Sequence, residues 1–580
     1  MRHSKFSNAY LAAFIVALPF LLHCSHMTNA AKVPTQSSVP LTERVSTLLF
    51  SLNADFKRLS VPFSYSSWEA YTKGTPEAYD KMATGEKAMN DFLSSGKTFA
   101  QLKQVREEAA ATAAIDPLDR RQLDIYYFQF AGNQVSPALL DEITDLSTKI
   151  QKEFNTFRVK LGDKEVSEIE LRETLKKSTD SKVLKEAWEA SKAVGERVEK
   201  DLKQLVRLRN KKAVQLGFPN FHAMSLAMDE HTTAWLVEFF SSLDKETTAN
   251  FRRAKTEFDG PLAKRLGIAV ADLRPWHYQD PFFQVAPEVE AFSLDTLYDK
   301  AEIKQLTETF YDGIGLPLPG VFAKSDLYPR DKKSTHAFCY DLDREGDTRV
   351  LANITPSDQW MTTMLHEFGH AVYSSTYIPQ RLPFLLRDAA HTLTTEGIAM
   401  MFERESKRKD WLTATKLLPK EPAKQKTLLA SAQRQMKSRL LVFSRWAQVM
   451  FQFEKKMYEN PDADLNALWW DLVEKYQELK RPEGRNKPDY AAKVHIVTAP
   501  VYYHNYLLGE VFASQVHHAL AKQVGKGADP HRFAYVGKKG VGEFLQKHIM
   551  DLGRVYPWTE MVEKATGQPL NTKAFAYDTK

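Results

Sequence analysis

Apolar residues recur at three- and four-residue steps along much of the chain, which is the spacing of one face of an α-helix. The pattern dominates from about Leu41 to Gly267 and returns from Thr355 to about Ala521, with short helices and loops expected after it. One apolar stripe consists of Leu139, Ile143, Leu146, Ile150, Phe154 and Phe157, and another of Val198, Leu202 and Leu205. Because the stripes are interrupted too often for a coiled coil, we expect them to form the core of a mainly α-helical protein.

One segment gives a convincing β-strand pattern. Residues His336 to Leu342 are rich in apolar residues, and Thr348 to Ile354 have extended character again. Residues 343–347 between them have the composition of a turn. We therefore predict a single small antiparallel β-hairpin within the helical chain.

Composition and charge narrow the class of protein. Of the 580 residues, 43% are hydrophobic and 26% are charged, as in a soluble globular protein. The net charge of +6 is small for this length, and Lys and Arg alternate with Asp and Glu along the chain. The charged residues are therefore expected to cover solvated helix faces, and we predict no nucleic-acid partner.

The N-terminus has the features of a secretory signal peptide. Three basic residues precede an apolar run from about Tyr10 to Leu22, which is too short to be a good membrane span. Small residues at positions 28–30 predict cleavage after Ala30. We therefore assign residues 1–30 to a signal peptide and residues 31–580 to a single helical domain.

Export follows from that assignment, either to a periplasm or to the outside of the cell. A lipid anchor on Cys24 is a less favoured alternative, because His23 is a poor residue before a lipidated cysteine. After signal cleavage no later segment is long and apolar enough for a membrane span. Cys339 is then the only cysteine, so the mature chain forms no internal disulfide and must rely on its core.

The segment His366–His370 carries the candidate chemistry. Residues Thr355–Asp358 before it predict a helix start, with a capping hydroxyl, a proline at the first helical position and an acid in the first turn. On that helix His366 and His370 are four residues apart, so their imidazoles project from one face and can bind one ion. Glu367 lies beside the ion, where it can take a proton from a water molecule. Zinc suits two imidazoles and a carboxylate.

A third protein ligand is expected downstream of the two histidines. The candidates are Asp388, His391, Glu396 and Glu403. Asp388 and His391 fall in a predicted connecting loop, whereas Glu396 lies in a second helical stretch. Because a glutamate from a neighbouring helix completes a His, His, Glu set, we favour Glu396.

At this point the chain resembles the angiotensin-converting-enzyme family of zinc peptidyl dipeptidases. The similarity is low but runs in register over much of the sequence. Besides His366–His370, the matching segments are Glu186–Glu189, Thr335–Asp341, Leu382-Pro383, Leu386-Arg387, Glu396, Trp469-Trp470, Lys475–Gln477 and Lys493–Ile496 with the proline and paired tyrosines that follow. The Leu-Pro, Leu-Arg and glutamate spacing supports Glu396 independently of the helix argument.

The resemblance implies an architecture and a cofactor. It implies two helical subdomains on either side of a deep central channel, with N-terminal helices as a lid and the β-hairpin beside the zinc helix. It places the zinc site within residues 336–506 and implies one zinc ion per chain.

The resemblance also implies roles for particular residues. Glu367 would act first as general base and then as general acid. His495 and one tyrosine would donate hydrogen bonds to the oxyanion. Lys493 would bind the terminal carboxylate of the substrate, and His336 and Ala337 would contact the peptide backbone.

The tyrosine assignment depends on the alignment. The family spaces its two functional tyrosines three residues apart, and Tyr503 and Tyr506 keep that spacing if one residue is inserted after His495. Without the insertion, Tyr502 matches one position and Asn505 falls on the oxyanion tyrosine. Because a phenol is the better donor, we assign Tyr506 to the oxyanion and Tyr503 to the substrate end.

Three departures from the family pattern bear on function. Tyr278, followed by Gln279, falls on a glutamine that helps to bind the terminal carboxylate, which weakens the case for strict dipeptide removal. Met400 replaces an acid that orients a zinc-binding histidine, so that partner must come from elsewhere. Val473 and His504 fall on or beside arginines of the family's chloride sites, so strong chloride activation is not expected.

The function expected from these residues is zinc-dependent hydrolysis of oligopeptides with release of C-terminal dipeptides. The alternative is an oligoendopeptidase of the thimet or neurolysin kind, which shares the zinc motif, a downstream histidine and a tyrosine-rich loop such as residues 502–506. A non-catalytic zinc-binding or peptide-binding protein is disfavoured, because such a protein needs no base at Glu367.

Overall fold

The computed structural model describes residues 39–162, 164–289 and 294–580. The proposed signal peptide, its cleavage site and Cys24 lie outside these residues. Within them the protein is mainly α-helical with two small antiparallel sheets of two strands each, which confirms the predicted fold class. No helix in this part of the chain combines the length and the apolar character needed to span a bilayer.

The first five helices are α1 (Leu41–Lys73), α2 (Pro76–Leu93), α3 (Gly96–Ala110), α4 (Pro117–Ala131) and α5 (Pro137–Thr156). Four of them, α2 to α5, begin at residues that suit helix N-termini. The side chains of Thr75, Ser95, Asp116 and Ser136 accept hydrogen bonds from backbone N–H groups at the starts of α2 to α5. Proline occupies the first helical position of α2, α4 and α5, where its missing N–H costs nothing.

A small hairpin interrupts the helices that follow. It consists of β1 (Val159–Leu161) and β2 (Lys164–Val166), after which come α6 (Glu168–Lys177), α7 (Ser181–Gln215), α8 (Phe221–Met228) and α9 (Thr233–Leu266). Helical spacing dominates this part of the sequence, and the hairpin was not predicted, because three-residue strands are too short to show an alternating pattern. The stripe of Val198, Leu202 and Leu205 is buried on α7 as predicted.

The second half of the chain contains the predicted hairpin and the long C-terminal helices. The elements are α10 (Asp295–Tyr298), α11 (Ile303–Gly313), α12 (Pro319–Lys324), β3 (Phe338–Asp341), β4 (Thr348–Leu351), α13 (Asp358–Val372), α14 (Thr392–Glu403), α15 (Lys409–Ala414), α16 (Pro422–Glu459), α17 (Leu465–Gln477), α18 (His495–Thr498), α19 (Tyr503–Gln523), α20 (Lys539–His548), α21 (Trp558–Thr566) and α22 (Lys573–Asp578).

The β3–β4 hairpin confirms the strand prediction, with shorter strands. Its register pairs Phe338 with Leu351 and Asp341 with Thr348. Helix α1 lies across it: Tyr65 Oη donates a hydrogen bond to Asp347 at 2.8 Å, and the rings of Tyr71 and Phe338 are 5.3 Å apart. The N-terminal helix therefore packs on the hairpin that neighbours the zinc motif.

The start of α13 differs from the prediction by two residues. The N-cap is Ser357, whose Oγ accepts a hydrogen bond from Trp360 N at 3.2 Å, and Asp358 is the first helical residue. Thr355 is therefore not the capping hydroxyl and Pro356 is not inside the helix. Ser357 serves equally well because serine and threonine offer the same acceptor.

Helices α13, α14 and α19 meet inside a core that extends from Val45 to Phe575. Their backbones approach closely at two glycines. A Cβ atom on Gly369 would lie 2.7 Å from the Cα of Ala399, and one on Gly397 would lie 2.9 Å from the carbonyl oxygen of Gly509. Such distances exclude any side chain, so these positions set the spacing of the three helices.

The spacing can be tested by replacing Gly369 with alanine. The added methyl group should force α13 away from α14, and overpacking of this kind costs about 1–3 kcal/mol, against at most about 1 kcal/mol gained in helix propensity. We expect a lower melting temperature and weaker zinc binding. The matched control is Gly320→Ala in α12, where a Cβ meets no atom within 4 Å. Equal melting temperatures for the two variants would contradict this account.

Candidate active site

The two histidines of the zinc motif project from one face of α13. The opposite face is fixed by residues buried in the core, namely Met361, Met364, Leu365 and Phe368. His366 Nε2 and His370 Nε2 are 3.1 Å apart, and Glu396 Oε2 on α14 is 3.6 Å from His366 Nε2. A tetrahedral site with bonds of about 2.1 Å has ligand–ligand distances of about 3.4 Å, which these separations match.

Hydrogen bonds to the other ring nitrogens orient both imidazoles. His366 Nδ1 donates to Glu403 Oε2 at 2.8 Å, because an ionised carboxylate can only accept. His370 Nδ1 lies 2.8 Å from Thr395 Oγ1, which can accept in the same way. Both Nε2 atoms then present lone pairs to one point, so the donor set of two imidazoles and a carboxylate fits zinc.

Glu403 takes the role that Met400 cannot fill. It was a candidate for the third ligand, but it contacts Nδ1 of His366 and lies on the far side of the ring from the convergent Nε2 atoms. Arg439 Nη2 is 2.5 Å from Glu403 Oε1. Although burial opposes ionisation, Arg439 and His366 together hold the pKa of Glu403 below its usual range. The carboxylate thus stays a permanent acceptor for His366.

The side chain of Glu367 extends from α13 towards the β3 strand. This side chain is buried, with 8% of the residue surface exposed, and Cys339 donates a backbone hydrogen bond to its carboxylate. Burial raises the pKa of Glu367 to about 7, and the neighbouring histidine opposes that rise. A carboxyl group with a pKa near neutrality can both accept and return a proton, as a general base and acid must.

The outer edge of β3 faces the zinc helix. Among the described strands β3 pairs only with β4, and the Cys339 N–H on its other edge points to Glu367. His336 and Ala337 precede β3 at the start of this edge, His336 exposed and Ala337 half-buried. An extended peptide could add to such an edge through backbone hydrogen bonds.

The tyrosines are grouped at the start of α19. Ring centroids of Tyr503 and Tyr506 are 5.7 Å apart, and those of His495 and Tyr503 are 5.2 Å apart. Tyr506 lies one turn before Gly509, where a Cβ atom would be 3.2 Å from Glu396 Cβ. The face of α19 that bears Tyr506 is therefore the face that packs on the zinc ligand of α14.

Asn505, the residue that one of the two alignments places on the oxyanion tyrosine, lies in a buried hydrogen-bond network. Asn505 Nδ2 donates to Asp229 Oδ2 at 2.6 Å, and Asn505 Oδ1 lies 3.2 Å from His231 Nε2. Both ends of the Asn505 amide are thus committed to a buried network. The Asn505 amide is therefore not available to a substrate, and the assignment of Tyr506 to the oxyanion stays a prediction.

Three aromatic rings surround the ammonium group of Lys493. Its Nζ is 5.5 Å from the ring centroid of Phe282, 5.3 Å from that of Trp446 and 5.5 Å from that of Tyr503. Only 8% of the residue surface is exposed. Burial lowers the pKa of Lys493 to about 8, while Asp280 opposes that shift. The ammonium group therefore remains mostly charged at neutral pH.

The residues that align with the family's glutamine, Tyr278 and Gln279, have hydrogen-bond partners other than Lys493. Tyr278 is buried and donates its hydroxyl proton to Asp259, and the Gln279 side chain hydrogen-bonds the backbone of Glu288. Gln284 is the amide at this site, because Lys493 Nζ donates to its Oε1 at 2.7 Å. No spacing in the sequence could show this, since an irregular segment brings Gln284 to the lysine.

A second cluster of potential metal ligands lies nearby and consists of Asp229, His231 and His391. His391 caps α14 by accepting a hydrogen bond from Leu393 N at its Nδ1, which leaves its Nε2 protonated. That Nε2 lies 3.0 Å from Asp229 Oδ1, to which it donates. Because a metal would need the Nε2 lone pair, this cluster is a hydrogen-bond network and not a second zinc centre.

Comparison with known proteins indicates a zinc enzyme, as the residues of the site do. The peptidase M2 family model, described as angiotensin-converting enzyme, matches residues 41–242 and 280–576, which is most of the chain. The chain belongs to the angiotensin-converting-enzyme family. Its members are zinc enzymes, which agrees with the donor set of His366, His370 and Glu396.

Individual members of the angiotensin-converting-enzyme family are distant relatives. The enzyme of Oryctolagus cuniculus is 26% identical over 303 residues, covering 49% of this chain and 23% of the relative. That of Sus scrofa is 26% identical over 271 residues, covering 45% and 20%, and that of Mus musculus is 24% identical over 329 residues, covering 54% and 24%. The aligned part of the chain thus spans less than a quarter of the length of these relatives.

Glu403 should matter for metal affinity although it does not contact the metal. Removal of a carboxylate that orients a zinc-binding histidine typically weakens binding about 10- to 100-fold. We expect Glu403→Ala to lose zinc to a competing chelator at a correspondingly lower chelator concentration. Glu405→Ala is the matched control, since Glu405 is buried two residues away and interacts with Arg408 and Tyr535. Equal zinc affinity in both variants would show that Glu403 does not orient His366.

Proposed function

We propose that this chain is a zinc-dependent peptidase that removes dipeptides from the C-terminus of oligopeptides. The observation that carries the proposal is the pairing of two sites on one segment. Tyr506 lies on the face of α19 that packs on Glu396, and His495 contacts Tyr503. Lys493, two residues before His495, forms a buried cationic site with Gln284. A peptide held at both sites would be cut at a fixed distance from its end.

Glu367 would handle the protons of the reaction. His366, His370 and Glu396 would hold the zinc ion, which would supply Lewis acidity and lower the pKa of a water molecule. Glu367 then accepts a proton from the attacking water and passes it to the nitrogen of the leaving amine. The raised pKa of Glu367 supports this double role, because the carboxyl group exchanges its proton readily near pH 7.

Tyr506 and His495 would stabilise the negative charge on the carbonyl oxygen. Burial lowers the pKa of His495 to about 3, so its imidazole is neutral and keeps one N–H to donate. Tyr506 offers a phenolic O–H from the face of α19 that packs on Glu396. Donors fixed in place before the reaction stabilise developing charge without reorganisation.

The substrate would lie along the open edge of β3 and end at Lys493. His336 and Ala337 would contact its backbone, and Tyr503 would approach its end together with Lys493. The three N–H donors of the ammonium can bond Gln284 and a carboxylate at the same time. The N-terminal helix α1, which packs on the hairpin, would cover the channel that the family fold implies.

The test of cleavage specificity compares one peptide in two forms. A peptide with a free C-terminus should lose dipeptides stepwise, as followed by mass spectrometry, because Lys493 can bind its carboxylate. The same peptide with a C-terminal amide should resist cleavage. Chelator-treated enzyme and the Glu367→Gln variant with zinc bound should cleave neither form.

Three outcomes would contradict the proposal in different ways. Internal cuts in both peptide forms would indicate an oligoendopeptidase of the thimet or neurolysin kind. Wild-type rates for Glu367→Gln would remove Glu367 from its assigned role. A zinc-loaded protein that cuts neither peptide would indicate a binding protein.

The charge of Lys493 predicts a pH dependence. Because burial lowers its pKa to about 8, the cation is present below that pH and is lost as the pH rises through it. For the free-acid peptide kcat/KM should fall about tenfold per pH unit above pH 8. Lys493→Arg, whose charge persists to high pH, should remove this fall, and Lys493→Met should give a low and pH-independent value in the same range. A wild-type profile in Lys493→Met would contradict the assignment.

A further inference from the structure

The segment between His495 and Tyr506 contains a backbone conformation that needs external support. Val501 has φ of +56°, in the left-handed region that β-branched residues rarely adopt. It lies two residues before Tyr503, where α19 begins. A strained backbone conformation persists only where contacts with the surrounding structure hold it. Such conformations are concentrated at functional sites.

Glu454 on α16 provides one support. Its Oε1 accepts a hydrogen bond from Val501 N at 2.9 Å, and only 2% of the residue surface is exposed. Burial raises the pKa of Glu454 to about 8, so its carboxyl group is mostly neutral at pH 7. A neutral carboxyl accepts this hydrogen bond through its carbonyl oxygen, as a glutamine side chain would.

Arg209 on α7 provides the second support. Its Nη1 donates to the carbonyl oxygen of Ile496 at 3.0 Å, and its Nη2 donates to that of Val497 at 2.6 Å. Both carbonyls belong to the single-turn helix α18 that begins at His495. Arg209 Nη1 also donates to Tyr458 Oη at 3.2 Å, and Tyr458 lies one turn after Glu454 on α16. The two supports are therefore joined.

We propose that Glu454 and Arg209 are positioning residues that hold the backbone from His495 to Tyr506 for the reaction. Arg209 fixes the end of α18 after His495, and Glu454 fixes Val501 before the tyrosines. Neither side chain belongs to the zinc, oxyanion or substrate groups described above. The inference rests on the proposed roles of His495 and Tyr506.

Burying polar side chains at positions 209 and 454 destabilises the fold unless their hydrogen bonds fix the position of the backbone. Removing a guanidinium and a carboxyl group from water carries a desolvation penalty that a well-packed apolar pair would avoid. Both groups instead bond three backbone positions in a stretch of six residues, from Ile496 to Val501. Directional hydrogen bonds can hold a backbone in a strained conformation, whereas apolar packing alone fixes its direction poorly.

The test removes the acceptor while keeping the shape of the side chain. Glu454→Gln keeps an acceptor for Val501 N and should keep kcat within about threefold of wild type, whereas Glu454→Leu removes it and should lower kcat about 10- to 100-fold. Zinc content should not change, because the ligands lie on α13 and α14. KM for a free-acid peptide should change less than kcat, since Lys493 lies outside the segment from His495 to Tyr506 and bonds Gln284.

Arg209 is tested in the same way with a control on the same helix. Arg209→Met should lower kcat. It should lower by the same factor the enzyme's affinity for a phosphinic peptide that mimics the tetrahedral transition state. Arg207→Met is the control, because Arg207 forms an exposed ion pair with Asp462 and should leave kcat unchanged. Parallel loss of kcat and of analogue affinity separates a positioning role from a loss of folded protein.

Each failure has its own signature. Wild-type kcat in folded Glu454→Leu, or in folded Arg209→Met, would overturn the inference. If Glu454→Leu does not fold, Arg209→Met decides, and a Glu454→Gln variant as impaired as Arg209→Met would also overturn it. If wild-type enzyme cleaves neither peptide form, the proposed function fails first, and that result is visible before any variant is measured.

Discussion

The close approach of α13, α14 and α19 is the constraint on which the site depends. Gly369 lets the zinc helix touch Ala399 on α14, and Gly397 lets α14 touch Gly509 on α19. Helices with ordinary side chains at their contact lie about 8–10 Å apart, and glycine allows them to come closer. Short separations place Glu396 within bonding range of the two histidines and bring the tyrosine-bearing face of α19 against the same carboxylate.

The hydrogen bond at Nδ1 of a histidine decides whether its Nε2 can bind a metal, and so which of the two clusters can hold one. In the zinc site Glu403 takes the proton-bearing Nδ1 of His366, so its Nε2 lone pair is left for an ion. In the buried network His391 uses Nδ1 as an acceptor for the cap of α14, so its Nε2 carries the proton. Each cluster contains two imidazoles and a carboxylate at similar distances, and the two differ in the tautomer of a histidine. Residue type and proximity alone would not distinguish them.

The parts of the site that could be predicted from sequence are those that depend on the spacing of residues within one helix or strand. The four-residue step from His366 to His370 is a property of any α-helix, and the second helix with Glu396 followed from its own pattern. The β3–β4 hairpin and the helical class followed from periodicity in the same way. Glu403 was visible as an acid, but its contact with His366 Nδ1 depends on how α13 crosses α14. Gln284 could not be predicted, because an irregular segment brings it to Lys493 from 209 positions away.

The departures from the family pattern show that a role belongs to a place in space and not to a position in an alignment. Met400 cannot accept a hydrogen bond from an imidazole, yet Glu403, one helical turn later, lies on the same face of α14 and accepts it. Gln284 contacts Lys493 although Tyr278 occupies the aligned position. A motif comparison would count both positions as lost, although the structure supplies a polar partner in each case. His366 and Lys493 thus each have a polar partner from a position that the alignment does not indicate.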